Sequence, residues 1–286
     1  MFEGFRLEMI ELSEATLRVR YGGSGPPILL LHGHPRTHAT WHQVAPILAP
    51  HFTVVCPDLR GFGASSKPLD TLDHAGSSKR AKARDCVELM QQLGFDRFSI
   101  VGHDRGSYTA FRTAMDYPEH IERAVMLDGV PILEALERCD ARFAAEWWHW
   151  FFFAQPEKPE RAILADPDAW YGGAVEAMGE EAYADFRRAI HDPATVHGMI
   201  EDYRAGLSLD HLHDREDREQ GRRIQCPAMV LWSLRDDLER LYGDVLEVWR
   251  PWTTHLVGHG IDCGHHMAEE APEALARALI DFSDST

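Results

Sequence analysis

The stretch Val101-Gly102-His103-Asp104-Arg105-Gly106 decides how the rest of the chain is read. It has the G-x-nucleophile-x-G form of a sharp turn between a strand and a helix, with an aspartate where serine usually stands. Such a pentapeptide also arises in ordinary loops, so its flanks matter. Phe98 to Val101 is a β-branched and aromatic run suited to a buried strand, and Tyr108 to Met115 reads as a helix ending near Pro118. The aspartate changes the chemistry. A serine that displaced a leaving group from saturated carbon would be left as an ether, whereas a carboxylate forms an ester that an activated water can cleave at its carbonyl. The elbow therefore points to substitution at carbon.

The chain of 286 residues suits one large α/β domain, alone or with an inserted cap. Its 46 acidic residues against 29 lysines and arginines, a net charge of −17, argue against nucleic acid or an anionic membrane surface as a partner. An anionic small substrate then needs its own local arginine. There is no basic start followed by an apolar stretch and no bilayer-length apolar run, so the expectation is a cytoplasmic protein. Cys56, Cys86, Cys139, Cys226 and Cys263 are odd in number and lack a CxxC pair, which suggests neither a disulfide framework nor a zinc site. The histidines at 32, 34 and 38 and at 265 and 266 lack acidic or cysteine partners at ligand spacing, so no metal and no other cofactor is expected.

Apolar runs alternate with helical stretches, as in a mostly parallel sheet with helices on both faces. Thr16–Tyr21 reads as the edge strand of a hairpin; Pro27–Leu31, Thr53–Cys56, Phe98–Val101, Arg123–Leu127, Ala228–Trp232 and Thr254–Val257 follow as strands. Helices are expected at Trp41–Leu48, Ser78–Leu93, Tyr108–Met115 and Ala271–Phe282. Between Leu127 and Ala228 lie roughly a hundred residues without a convincing strand, too many for a plain crossover. They read as a helical cap at 132–208 inserted into a core formed by 1–131 and 209–286. The run Trp147-Trp148-His149-Trp150-Phe151-Phe152-Phe153 suits the apolar underside of that cap. Within it, His149 and Trp150 carry N–H groups that need partners if buried.

After the last strand stands Gly264-His265-His266, where a histidine would meet the elbow if the nucleophile comes first and the base last, the α/β-hydrolase order. A carboxylate must orient that imidazole. Asp128 ends the strand after the elbow helix, while Asp236 and Asp237 follow the later strand, and spacing alone favours the later pair. Upstream, Leu31-His32-Gly33-His34-Pro35 follows a buried strand, so the backbone N–H groups of His34 and Arg105 are the candidate oxyanion hole. His32 reads as a packing residue, and Pro57–Gly63 as a structural turn.

These residues together resemble the fluoroacetate and haloacetate dehalogenases of the α/β-hydrolase fold over almost the whole chain. The similarity rests on His32-Gly33 to Pro35, Asp58 to Gly61, Gly102 to Gly106, Leu127-Asp128, His149-Trp150, Asp202-Tyr203-Arg204-Ala205-Gly206, Gly264-His265 and Glu269 to Pro272. The resemblance implies Asp104 as nucleophile, His265 as base and Asp128, rather than the later pair, as the acid. It also implies Arg105 as the partner of a substrate carboxylate, His149, Trp150 and Tyr203 as the halide contacts, and a homodimer. A leaving fluoride is basic and strongly hydrated, so a dry site must offer it fixed donors, and an imidazole, an indole and a phenol supply three.

One position departs from the family. A second arginine is typical three residues after the first, and here it is Tyr108, which can donate a hydrogen bond but brings no charge. Arg112, a turn further on, reads as belonging to another face. The leading expectation is thus a hydrolytic dehalogenase of short 2-haloacids acting on a small anionic substrate and water. The rival is an epoxide hydrolase with the same Asp–His pair and two cap tyrosines drawn from Tyr171, Tyr183 and Tyr203, against which Arg105 would stand beside a neutral substrate. A non-catalytic ligand receptor would be favoured by loss of Asp104, Asp128 or His265, and all three are present.

Overall fold

The computed structural model describes residues 1–284. Eight strands form one sheet: β1 (Arg6–Glu11), β2 (Thr16–Gly23), β3 (Pro27–Leu31), β4 (Thr53–Pro57), β5 (Phe98–His103), β6 (Ile121–Leu127), β7 (Ala228–Ser233) and β8 (Leu256–Ile261), in the order β1-β2-β4-β3-β5-β6-β7-β8. β1 and β2 are an antiparallel hairpin, β2 joins β4 antiparallel, and every pairing from β4 to β8 is parallel. This is the α/β-hydrolase fold.

Period-two alternation divides the core. On β3, Leu29 and Leu31 face one apolar layer while Ile28 and Leu30 face the other. The first layer packs under the helices Lys79–Gln92 and Arg105–Asp116, the second under Val44–Leu48 and Pro272–Asp284. Each fully buried leucine or valine contributes about 1.5–3 kcal/mol relative to exposure. Covering both faces explains why the central strands read as unbroken apolar runs.

Two expectations shift. Thr16–Tyr21 is not the edge, because β1, a mostly exposed strand, lies outside it. The last strand begins at Leu256 rather than Thr254 and runs through Gly258-His259-Gly260, residues with no apolar signature. Between β6 and β7 the chain is helical in successive segments from Ile132 to Glu219. No helix among the described residues is long and apolar enough to cross a membrane.

Candidate active site

The parallel strands deliver their carboxyl ends to one crevice, where open α/β sheets hold ligands. β3 leads to His34, β5 to Asp104, β6 to Asp128, β7 to Asp236 and β8 to His265. Asp104 sits between β5 and its helix at φ 50° and ψ −118°, a conformation that costs about 1–3 kcal/mol and survives only where its surroundings hold it. Gly106 makes the turn possible, since a Cβ there would fall 2.5 Å from the carbonyl oxygen of Leu31. Gly33 lets the neighbouring loop approach, because its Cβ would lie 2.3 Å from Asp104 Oδ1.

The Asp104 carboxylate is held before any substrate arrives. The His34 N–H donates to Oδ1 at 2.6 Å, and the Arg105 N–H donates to the same side chain. Burial pushes its pKa up, but the charges of His265, His103 and Arg105 outweigh that and hold it below the ordinary carboxylate value. Asp104 is thus anionic and fixed.

His265 Nε2 lies 4.0 Å from Asp104 Oδ2, too far for a direct hydrogen bond and close enough for a bridging water. On the other side of the ring, Nδ1 lies 2.7 Å from Asp128 Oδ2 and 3.0 Å from Asp236 Oδ2. Asp128 is itself anchored by the Ser233 N–H at 3.0 Å. Burial alone would depress the imidazole, yet the hydrogen bond to Asp128, the Asp236 carboxylate beside the same nitrogen and the charges of Asp128 and Asp104 hold its pKa well above the histidine value. Spacing favoured the later carboxylates and the family resemblance favoured Asp128. The fold brings one from each strand to the same nitrogen, whereas Asp237 accepts from the Trp147 indole N–H at 2.5 Å.

Above Asp104 lies a cavity of about 520 Å³ roofed by helices from the segment between β6 and β7. His149 and Trp150 reach it from the helix Trp148–Phe153, and Tyr203 from the helix Pro193–Ala205. Their rings interlock: Tyr203 lies 5.7 Å from His149 and 6.2 Å from Trp150, centroid to centroid. None of the three spends its polar hydrogen on a protein acceptor among the described residues. Burial depresses His149 to about 4 and raises Tyr203 well above its ordinary value, so the imidazole is neutral and the phenol keeps its proton.

Arg105 is already engaged within the protein. Its guanidinium does not line the cavity; Nε is bound to the Asp202 carboxylate and Nη2 donates to the Asp202 carbonyl at 2.9 Å. The rings of Tyr203, Tyr108 and Trp150 cover it, Tyr203 at 4.1 Å from its central carbon. Only Nη1 lacks a partner, so no open fork awaits a carboxylate. Asp202 belongs to the motif that supplied Tyr203, and nothing in its spacing signalled this pairing. Lys79 at 2.8 Å and Lys82 also converge on it. Tyr108 lines the cavity as expected, and Arg112 lies on another face, bound to Asp214 and Asp217. The acidic lining is Asp104, Asp128, Glu146, Asp236 and Asp237, and no lysine or arginine joins it among the described residues.

One further cavity group was missed. The His34 ring, read only for its backbone, packs edge to face at 5.2 Å on Tyr171, one of the cap tyrosines of the rival reading, and each has a buried polar atom without a partner. His32 is structural, accepting from the Leu59 N–H at 3.0 Å. Ligand atoms of Asp128, Asp236 and His265, and of His103, His265 and His266, come within 4.8 Å of one another, the spacing a metal would need, but the hydrogen bonds of Asp128 and His103 to His265 already account for their closeness.

A family model described as the alpha/beta hydrolase fold matches residues 26–272. The fluoroacetate dehalogenase of Burkholderia sp is 40% identical over 99% of this chain and 95% of its own. The chain belongs to the haloacetate-dehalogenase-like α/β hydrolases. Among solved members of this fold, a protein of Nostoc sp PCC 7120 superimposes with a TM-score of 0.96 at 39% identity, over 100% of both chains. A Pseudomonas aeruginosa protein, described under an epoxide-hydrolase name and solved as a mutant with bound MFA, is 43% identical with a TM-score of 0.90, covering 99% of this chain and 97% of its own. The family thus carries both names that the residues had raised.

Proposed function

We propose that this α/β hydrolase is a hydrolytic dehalogenase of short 2-haloacids of the haloacetate and fluoroacetate type. The observation that carries the reading is the pairing of a fixed aspartate nucleophile with three unpartnered donors across one small cavity. Asp104 Oδ2 attacks the α-carbon; a C–O bond forms, the carbon–halogen bond breaks, and the halide leaves with the bonding pair toward His149, Trp150 and Tyr203. In the second step His265 Nε2 takes a proton from water as its oxygen adds to the Asp104 carbonyl carbon. The developing oxyanion is Oδ1, which already accepts from the His34 N–H, with the Arg105 N–H acting on the same side chain. Collapse expels the hydroxyacid, its oxygen protonated by the imidazolium, and leaves Asp104 as a carboxylic acid whose proton passes to solvent, restoring the carboxylate.

Esterification also removes the Asp104 charge facing His265. This lowers the proton affinity of the imidazole when it must act as base. The substrate carboxylate, in this reading, feels Arg105 as a buried cation with one unengaged nitrogen. The division into a core of 1–131 with 209–286 and a cap of 132–208, and a cytoplasmic homodimer, belong to the same proposal.

The second reading is an epoxide hydrolase, favoured by one observation: Tyr171 and Tyr203 both line a cavity that Arg105 does not. The deciding experiment measures halide release from chloroacetate and fluoroacetate beside diol formation from styrene oxide, in wild type and Asp104→Asn. Halide release that disappears in the variant supports the dehalogenase. Diol without halide would transfer the assignment to the epoxide reading.

A further inference from the structure

We infer that Asp236 is a second positioning residue for His265, acting jointly with Asp128 so that the imidazole is held by two carboxylates. The inference rests on the proposed roles of Asp104 and His265 and deepens them. Asp128 supplies a buried anion, its side chain 1% exposed and tied to the Ser233 backbone; Asp236 comes from the loop after β7, its side chain 27% exposed on the cavity side. Both contact Nδ1, and an oxygen of each lies within 4.8 Å of the other. Two carboxylates this close repel unless a proton lies between them and a shared partner, and Nδ1–H is that proton. The arrangement leaves Nε2 as the only ring nitrogen able to accept from water. When Nε2 is protonated, the new charge faces an anion on either side of Nδ1–H.

The electrostatic surroundings of the ring are otherwise mixed. Asp104 lies beyond Nε2, His103 and His266 pack at centroid distances of 4.8 and 5.2 Å, and His149 and Asp237 also feel its charge. Arg240, on the helix Leu238–Tyr242, acts on Asp236, Arg235 on the loop itself pairs with Asp262, and Arg36 acts through His266. Once Asp104 is esterified, Asp128 and Asp236 are the anions in direct contact with the base. An anion in contact with an imidazole raises its pKa by about one unit or more. Removing Asp236 should therefore lower the proton affinity of His265 even though Asp128 remains.

The test uses the full chain carrying Asp236→Asn, Asp128→Asn or both. One readout is the titration of the His265 ring by ¹³C and ¹⁵N NMR, its signal assigned by loss in His265→Asn; the other is the pH profile of halide release. In Asp236→Asn the NMR midpoint and the acid limb of kcat should both move about one unit to lower pH, the plateau rate staying within about tenfold of wild type. Asp128→Asn should retain turnover through Asp236, and the double variant should fall at least about tenfold below it. An unchanged NMR midpoint in Asp236→Asn overturns the inference whatever the rates do. Because that midpoint needs no substrate, a wild type inert toward haloacids would defeat the proposed reaction without deciding the role of Asp236. Asp236 is partly exposed, so its variant should fold, and it carries the test if Asp128→Asn does not.

Discussion

Replacing Asp202 by asparagine should be among the most damaging single changes in the molecule outside the catalytic groups. Asp202 has no exposed surface and is the shared counter-ion of Arg105, Lys79 and Lys82, with Asp210 a further 3.5 Å from Lys79. Three cations against two carboxylates already leave this buried cluster with a positive surplus, and the substitution removes one of the two anions. Breaking a buried ion pair by deleting one partner costs about 3–5 kcal/mol, which for a chain of this size is roughly 10 °C in Tm. The loss should depend on pH in a defined direction. Burial, only partly offset by Asp202, already depresses Lys82 to about 8. A lysine whose folded pKa lies below its unfolded value binds fewer protons in the native state. Stability therefore rises with pH between about 8 and the unfolded value near 10.4. Without Asp202 the Lys82 proton leaves at still lower pH, so the variant should lie closest to wild type at alkaline pH. Thermal unfolding followed by circular dichroism at pH 7 and pH 9.5 measures both effects. A loss under about 1 kcal/mol at pH 7, or a gap that widens with pH, would refute the view that Asp202 holds a cationic cluster together.

The two chemical steps should separate in His265→Asn, which should release about one halide per active site and then stop with a carboxyalkyl ester on Asp104; intact-protein mass spectrometry and peptide mapping detect the adduct, and halide release without one would sink the covalent mechanism. Trp150→Phe keeps the ring stacked 5.2 Å from Trp147 but deletes the indole N–H. It should slow single-turnover release of fluoride by about 10²-fold and of chloride, a weaker acceptor, by less. Equal losses for both halides would remove Trp150 from the leaving group.

Much of the site was legible because the chain encodes its own backbone there. A β-branched run, two glycines and a helix pattern specify the turn at Asp104, and the alternation of strands with helices orders β3 to β8 so that their carboxyl ends meet. Local pattern carries that information because helix formation and the preference of a segment for the extended state depend on neighbours a few residues away. The chain order of Asp104, Asp128 and His265 then follows, and the resemblance to a family named the three cap donors. Weakly patterned pieces were not legible: β1 hides because it is mostly exposed, and β8 because its glycines and histidine carry no apolar signal.

The sequence by itself therefore determined the turn that carries Asp104, the type of fold and which residues are available for chemistry. Only the tertiary structure decided which charges meet. His265 is 137 residues from Asp128, and Arg105 is 97 from Asp202. At such separations the partner is chosen by how strands and helices pack, not by spacing. Packing gave His265 two carboxylates where one was expected, and it turned the Arg105 guanidinium away from the cavity toward a buried aspartate. The physical reason is that a guanidinium withdrawn from water must find a fixed anion. The helix Pro193–Ala205 brings Asp202 to it as the same helix lays Tyr203 over the cavity.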